Sequence, residues 1–184
     1  MAAFEIEVKL PVPNLTALRR RLRQLGFRAD TPRLFERNLV LDNPERSLRQ
    51  AGQLLRLRSK GRSWWLTWKG APEPERRHKV RREIEVELSD GARLGEILSR
   101  LGYRPALEYQ KYRTEFHGRG PGKALLDETP IGNFLELEGP SRWIDRVAAE
   151  LGYRREDYIL ASYAALYYTW CRERGVPATG MVFQ

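Results

Sequence analysis

Glu5-Ile6-Glu7-Val8-Lys9-Leu10, Glu83-Ile84-Glu85-Val86-Glu87-Leu88 and Glu136-Leu137-Glu138-Gly139 are three versions of one pattern. Residues two apart on an extended strand share a face, so each stretch puts carboxylates on one side and aliphatic side chains on the other. Each leads into a helical segment that ends in Leu-Gly-aromatic-Arg: Leu25-Gly26-Phe27-Arg28, Leu101-Gly102-Tyr103-Arg104 and Leu151-Gly152-Tyr153-Arg154. The spacing between the units is too long and irregular for a solenoid.

The helices have readable stripes and ends. Leu15, Leu18, Leu22 and Leu25 share a face, Asn14 can cap the start, and Gly26 can take the left-handed C′ conformation. Ser89 or Asp90 caps the second helix, striped by Leu94, Ile97, Leu98 and Leu101; Ser141 caps the third, striped by Ile144, Val147, Ala148 and Leu151. A fourth is expected over roughly Ile159 to Arg174. Further strands are predicted over Leu34–Leu41, Leu54–Ser59, Ser63–Lys69, Tyr109–Phe116 and Lys123–Asp127, separated by Gly- and Pro-rich turns. With the three Glu-x-Glu segments this makes about eight strands, enough to close a barrel. The expected fold is α+β, a closed eight-stranded antiparallel β-barrel with helices packed outside, forming one domain over residues 1–175 and a tail over 176–184.

For one strand, a charged face usually means a wet face. Here the charges recur on a common face of six strands: Glu5, Glu7 and Lys9; Arg56 and Arg58; Lys69; Arg81, Glu83, Glu85 and Glu87; Lys111, Arg113 and Glu115; Glu136 and Glu138. Closure of the sheet would make that face a lumen, and so many buried charges are tolerable only if they neutralise one another or a ligand. Glu pairs offer hard oxygen ligands to a divalent ion, and Lys and Arg offer point charges and forks to phosphate oxygens. The combination suits a polyphosphate with its metal better than nucleic acid, which favours an open basic surface with stacking aromatics.

Composition agrees. Lys and Arg number 33 against 24 Asp and Glu, a formal net charge of +9 in 184 residues, which favours an anionic partner. One cysteine, Cys171, and two histidines, His78 and His117, leave carboxylates as the ligand supply, which selects Mg²⁺ or Mn²⁺ over zinc. His78, among Arg76, Arg77 and Lys79, reads as part of a solvated loop; Trp64, Trp65 and Trp68 read as core, with Trp65 on the same side as Lys69. The Arg19-Arg20-Arg21 run reads as the wet side of the first helix. Neither a signal-peptide pattern nor a spanning apolar run is present, so a soluble cytoplasmic protein with no membrane partner is expected, monomeric or dimeric.

These residues, in this order, resemble the CYTH domain, or triphosphate tunnel metalloenzyme, family. Glu5-x-Glu7-x-Lys9 at the N-terminus carries the resemblance, followed by Leu55-Arg56-Leu57-Arg58, Leu66-Thr67-Trp68-Lys69-Gly70, Arg81-x-Glu83-x-Glu85, Lys111-x-Arg113, Asp127, Gly132 to Gly139 and Tyr158 to Ala165. The resemblance implies a tunnel fold, Mg²⁺ or Mn²⁺ dependence and a small-molecule triphosphate substrate. It implies metal ligands or water-orienting groups at Glu5, Glu7, Asp127, Glu136 and Glu138, with Glu83 and Glu85 matching the central acidic strand as further candidate ligands. Lys9, Arg56, Arg58, Lys69, Arg81, Lys111 and Arg113 would grip phosphates, with catalysis assigned to Glu5, Glu7, Lys9 and Glu85.

Three functions stay open: triphosphate hydrolysis, cyclisation of ATP by a class IV adenylyl cyclase, and non-catalytic polyphosphate or nucleotide binding. No base-reading motif is legible and the loop over 72–79 has no evident role, so hydrolysis is favoured and tripolyphosphate is expected to outpace ATP. Neutralising Glu136 or Glu138 is expected to relieve repulsion without metal and leave the fold at least as stable.

Overall fold

The computed structural model describes residues 3–74, 77–118 and 120–184. The first Glu-x-Glu segment becomes strand β1 (Ala3–Pro11). It lies between β6 (Lys79–Leu88), where Glu5 faces Arg81 and Glu7 faces Lys79, and β9 (Gly132–Glu138), where Glu7 faces Glu138 and Lys9 faces Glu136. Side chains of directly opposed residues point to the same side of a sheet, so this register gathers the charged positions of all three strands on one face.

The remaining strands are β2 (Arg28–Ala29), β3 (Leu34–Asp42), β4 (Leu54–Lys60), β5 (Ser63–Lys69), β7 (Arg104–His117) and β8 (Lys123–Thr129). The order β7-β3-β4-β5-β6-β1-β9-β8 is antiparallel throughout, and pairing of β8 back onto β7 closes it into an eight-stranded barrel. The short β2 adds a ninth strand beside the far end of β7. Strand β7 starts five residues before the expected Tyr109, because Arg104–Leu107 extend the pairing with β3 past a bulge at Val40/Leu41.

The helices are α1 (Leu15–Gln24), the single turn α2 (Ser47–Gln50), α3 (Gly91–Arg100), α4 (Ser141–Glu150) and α5 (Tyr163–Arg174). Asn14 and Asp90 cap α1 and α3, accepting from the amides of Ala17 and Arg93. Two expectations change. Ser141 is the first residue of α4 rather than its cap, and Pro140 stands at the cap without a side-chain hydrogen bond. Helix α5 begins at Tyr163, not near Ile159, because Ile159 exchanges backbone hydrogen bonds with Lys9 and Ser162 then caps the helix.

The Leu-Gly-aromatic-Arg repeats are three copies of one C-terminal cap. Gly26, Gly102 and Gly152 have φ of 83°, 92° and 91°. Each following aromatic donates its amide to the carbonyl five residues back: Phe27 to Leu22, Tyr103 to Leu98 and Tyr153 to Ala148. This is the Schellman arrangement, which needs a residue that tolerates the left-handed region.

The barrel is inverted relative to a water-soluble sandwich. Val8, Leu10, Leu126, Leu135 and Leu137 point outward and are fully buried beneath α1 and α4, which contribute Leu18, Leu22, Trp143, Ile144, Val147 and Ala148. A second cluster joins Leu107, Tyr109 and Phe134 to Tyr163, Tyr167 and Cys171 of α5 and to Met181. Residues of the tail therefore dock: Met181, 1% exposed, bridges Tyr109 in parallel through backbone bonds to Glu108 and Gln110. The outer face of β6 stays open, with Ile84 and Val86 exposed beside Phe4.

Two glycines of α3 test this packing. A Cβ at Gly91 would lie 2.3 Å from the Trp64 ring, whereas one at Gly95 would meet only the Cδ2 of Leu57 at 3.3 Å. Gly91→Ala should destabilise by about 1–3 kcal/mol through overpacking, while Gly95→Ala, gaining up to about 1 kcal/mol of helix propensity, should be neutral or stabilising. Urea denaturation of both variants checks this; equal effects would contradict the placement of α3.

Candidate active site

Alternation along each strand and closure of the sheet together produce a cavity of about 710 Å³ inside the barrel. Of the candidate site residues read from the sequence, every one except Asp127 lines it: Glu5, Glu7, Lys9, Arg56, Arg58, Lys69, Arg81, Glu83, Glu85, Lys111, Arg113, Glu136 and Glu138. The lining also includes Lys79, Arg82, Lys123, Tyr109 and Tyr163, which the sequence reading did not single out. Parity identifies Lys79, two residues before Arg81 on the same strand, but the preceding Pro72-Glu73-Pro74 gives its stretch the look of a loop.

The charges form an alternating lattice. Lys9, 2% exposed, lies 3.2 Å from Glu7 and 3.0 Å from Glu136, and Lys79 donates to Glu7 at 2.6 Å. Burial opposes ionisation of Glu7, but Lys9 and Lys79 outweigh it and hold its carboxyl well below the usual range. Glu136 is likewise buried yet held far down by Lys9 and Arg113. On the other side, Lys69 donates to Glu5 and lies 3.3 Å from Glu83. Arg58 donates to both oxygens of Glu85 at 3.1 Å, and Arg56 donates to Thr67 and the Tyr109 hydroxyl.

Two candidates are placed differently from the rest. Asp127 lies on the lumen side opposite Arg113 but is fully buried, accepting from Lys111 at 2.9 Å, from Arg113, and from the Tyr163 hydroxyl at 2.7 Å. In this arrangement its oxygens orient two cations and a helix rather than facing the cavity. Arg81 reaches the lining but donates to the carbonyls of Gly70, at 2.6 Å, and Gly52, at 2.8 Å, so its guanidinium fastens the β5–β6 connection to α2's loop.

Other expectations shift too. His78 is buried rather than solvated: its Nε2 lies 2.8 Å from Asp145 of α4, which also accepts from the Tyr158 hydroxyl. That contact anchors the chain immediately before Lys79. The described part of the 72–79 loop thus delivers a tunnel cation; residues 75 and 76 lie outside the described residues. Trp65 does not line the cavity but lies 5.2 Å beneath the Arg58 guanidinium. In the Arg19–Arg21 run, Arg19 pairs with Glu128 and Arg21 donates to the Glu150 carbonyl.

Among the described residues no three metal-binding groups already stand together as a cluster. The donor chemistry nevertheless fits a hard divalent ion. Burial, Glu7 and Glu83 push the Glu5 carboxyl up to about 7 despite Lys69, so negative charge there is under-compensated. Glu138 is raised in the same direction by burial, with Glu136 adding to it against Lys123. A divalent cation among these oxygens would supply the missing charge.

A closed antiparallel barrel whose lumen is lined by interleaved carboxylates and cations defines a tunnel protein suited to a compact, strongly anionic ligand. The chain belongs to the CYTH domain family, whose pattern matches residues 3–163. A protein of Methanocaldococcus jannaschii named "putative adenylate cyclase" is 27% identical over 135 residues, covering 73% of this chain and 76% of that one. Among solved structures, a Vibrio parahaemolyticus protein of the same designation superposes with a TM-score of 0.76 at 23% identity, covering 89% of this chain and 97% of the other. A Hippeastrum protein, also named as an adenylyl cyclase and described as revealing a dominant triphosphatase activity, superposes with a TM-score of 0.66 at 19% identity over 92% of this chain and 96% of its own.

The lattice makes the carboxylates energetically unequal. Glu36, fully buried behind Arg58 and Lys111, is opposed by burial yet held at about 2 by Lys111, Arg113, Arg58 and Arg56. A depressed carboxyl contributes stability above its unfolded pKa and loses it as pH falls through the folded one. The shift corresponds to a stabilisation on the order of 3 kcal/mol, present at neutral pH and lost between about pH 4 and 2. Glu36→Gln should lower Tm at pH 7 and flatten the melting curve's dependence on pH below 4. Glu136→Gln should also lower Tm, because Lys9 and Arg113 lose their counter-charge, which corrects the expectation that relief of repulsion would offset it. Glu138→Gln, at a site where ionisation is disfavoured, should melt no lower than the parent. Equal Tm for the two Gln variants would contradict this division.

Proposed function

We propose that the chain is a divalent-metal-dependent phosphohydrolase that cleaves a triphosphate held in the barrel lumen. One observation supports this above all, the charge of the lining. Ten cationic side chains and six carboxylates line the cavity, an excess of four positive charges. Glu36 and Asp127, buried on the lumen side beneath Lys111 and Arg113, reduce the excess to two. A divalent ion restores it to four, which matches the roughly four negative charges of a triphosphate. Such a lumen is over-charged when alone and balanced with substrate and metal together.

In this reading Glu5, Glu7, Glu83, Glu136 and Glu138 would hold Mg²⁺ or Mn²⁺, with Glu85 at the margin of the set. When bound, the ion supplies Lewis-acid stabilisation of phosphoryl charge and lowers the pKa of a coordinated water. Lys69, Lys79, Arg56, Arg58, Lys111 and Arg113 bind the phosphate oxygens and keep the chain in line for attack, and positioning with charge stabilisation carries most phosphoryl transfer. Lys9, buried between Glu7 and Glu136, fixes both carboxylates, and Glu85 orients the two Arg of β4. Closure of the barrel limits bulk water, which strengthens each of these interactions.

Hydrolysis is preferred over cyclisation because the lumen provides phosphate contacts on all sides, whereas cyclisation needs a ribose aligned at the α-phosphorus. The Hippeastrum protein, whose description pairs a cyclase name with a dominant triphosphatase activity, is a precedent for that outcome in this fold. Phosphate and cyclic AMP measured side by side with Mg²⁺ or Mn²⁺ test the choice. Tripolyphosphate should yield pyrophosphate and phosphate, ATP should yield ADP and phosphate in preference to cyclic AMP, and Glu138→Gln should reduce turnover at least tenfold at limiting metal without loss of fold. Cyclic AMP as the main product from ATP would sink the hydrolase reading.

A further inference from the structure

Glu7 meets two lysines in the lumen, and they are held in different ways. Burial opposes the charge on Lys9, but Glu136 and Glu7 on either side outweigh it and make Lys9 a stronger base than an ordinary lysine. Lys79 pairs with Glu7 at 2.6 Å, yet burial and the nearby Lys9 ammonium prevail and leave it a weaker base. Local charge alone therefore does not account for the place of Lys79. It also sits on the last rung of the β1–β6 pairing, opposite Glu7, where a ladder frays first.

The residue just beyond that rung is fixed from outside the lumen. His78 is 7% exposed and lies against α4, its Nε2 2.8 Å from Asp145. Burial opposes ionisation of Asp145, but hydrogen bonds from His78 and Tyr158 outweigh it and hold the carboxyl below its usual range. A carboxylate only accepts, so the His78 Nε2 carries the hydrogen. The same Asp145 oxygen accepts from the Tyr158 hydroxyl at 3.0 Å, and the two rings lie 5.9 Å apart. The next residue, Ile159, exchanges backbone hydrogen bonds with Lys9 at 2.9 and 3.1 Å. One cluster outside the barrel thus grips the chain beside both lysines of Glu7. Helix α4 does not need this contact for its seat, because Trp143, Ile144, Val147 and Ala148 are all buried in the core beneath it.

We propose that His78 is a positioning residue for the phosphate site: clamped to Asp145 at the start of β6, it holds Lys79 against Glu7 inside the lumen. The proposal rests on the phosphate reading of the tunnel and adds to it a group that never touches substrate. Without the clamp the last rung opens, and a lysine on a flexible stem takes its charge from the buried site to water. The lumen then loses one of the cations that face the phosphate chain.

Three variants test the clamp after a melting curve confirms that each is folded. His78→Ala removes it, Asp145→Ala breaks it from a partly exposed helix position, and His78→Gln keeps a side-chain N–H donor. If His78→Ala does not fold, Asp145→Ala carries the test. The position of Lys79 is read without activity: the protein is exposed to a trace of amine-acylating reagent, and mass spectrometry compares labelling of Lys79 with that of the buried Lys111. The ratio should rise roughly tenfold in either Ala variant and stay near the parent value in His78→Gln. A Lys79 as protected in the folded Ala variants as in the parent overturns the proposal. In hydrolysis of tripolyphosphate, His78→Ala should lower kcat/KM severalfold, His78→Gln should recover most of the loss, and His78→Ala should cost nothing further in a Lys79→Met background. Equal losses in both backgrounds make the role of His78 merely structural and overturn it as well. A parent that neither binds nor cleaves tripolyphosphate removes the phosphate reading, while the labelling ratio still decides whether His78 places Lys79.

Discussion

Asp127 accepts hydrogen bonds from Lys111, Arg113 and the Tyr163 hydroxyl at zero exposure, and the rest of the lumen is built outward from that contact. A carboxylate taken out of water is stable only with its charge met and its lone pairs filled, and these three donors meet both demands. With Asp127 they join three places in the fold: Lys111 and Arg113 on β7, Asp127 on β8 and Tyr163 on α5. The ion pair thereby holds the seam at which the barrel closes and positions the helix that covers one end. Arg113 then passes the constraint to Glu136, Glu136 to Lys9, and Lys9 to Glu7.

This lattice explains why a barrel can be charged inside and apolar outside. Lys9, Lys69, Lys111 and Arg113 each have a carboxylate within ion-pair reach on an adjacent strand, while Arg81 is met by backbone carbonyls, so desolvation is offset by close opposite charge and hydrogen bonds. The offset is unequal: Glu5 and Glu138 ionise less readily than free carboxylates, while Glu7, Glu36 and Glu136 ionise more readily. The carboxylates thus divide into those that stabilise the resting protein and those whose charge is better satisfied by an added cation. The proposed joint binding of metal and polyanion would draw on both kinds.

The outer surface carries the opposite demand. Aliphatic residues of β1, β8 and β9 need covering, and α1 and α4 cover them through the repeated Schellman caps that turn each helix back toward the sheet. Helix α5 and Met181 cover the neighbouring region, and Ala164, Ala165 and Tyr168 of α5, with the α2 turn, wall a second cavity of about 480 Å³ beside the tunnel.

Alternation and spacing are enough to read the eight barrel strands, though not the short β2, three of the helices with their Gly caps, and the sharing of one face by Glu5, Glu7, Lys9, Arg56, Arg58, Glu136 and Glu138 from the residues alone. Period-2 and period-3.6 patterns are local, and a face shared along a strand needs no knowledge of its neighbours. What locality could not reveal was partnership. Asp127 and Arg81 have the right parity for the lumen, yet their polar atoms are consumed by Tyr163, Lys111 and Arg113 in one case and by backbone carbonyls in the other. His78 looked solvated beside three basic residues until Asp145, 67 residues away, placed it in the interior and Lys79 in the tunnel. The second cavity joins segments around Leu48, Leu107 and Ala165, which no sequence window contains. Depth, charge compensation and cavity shape depend on contacts between distant segments, and only the tertiary structure decides those.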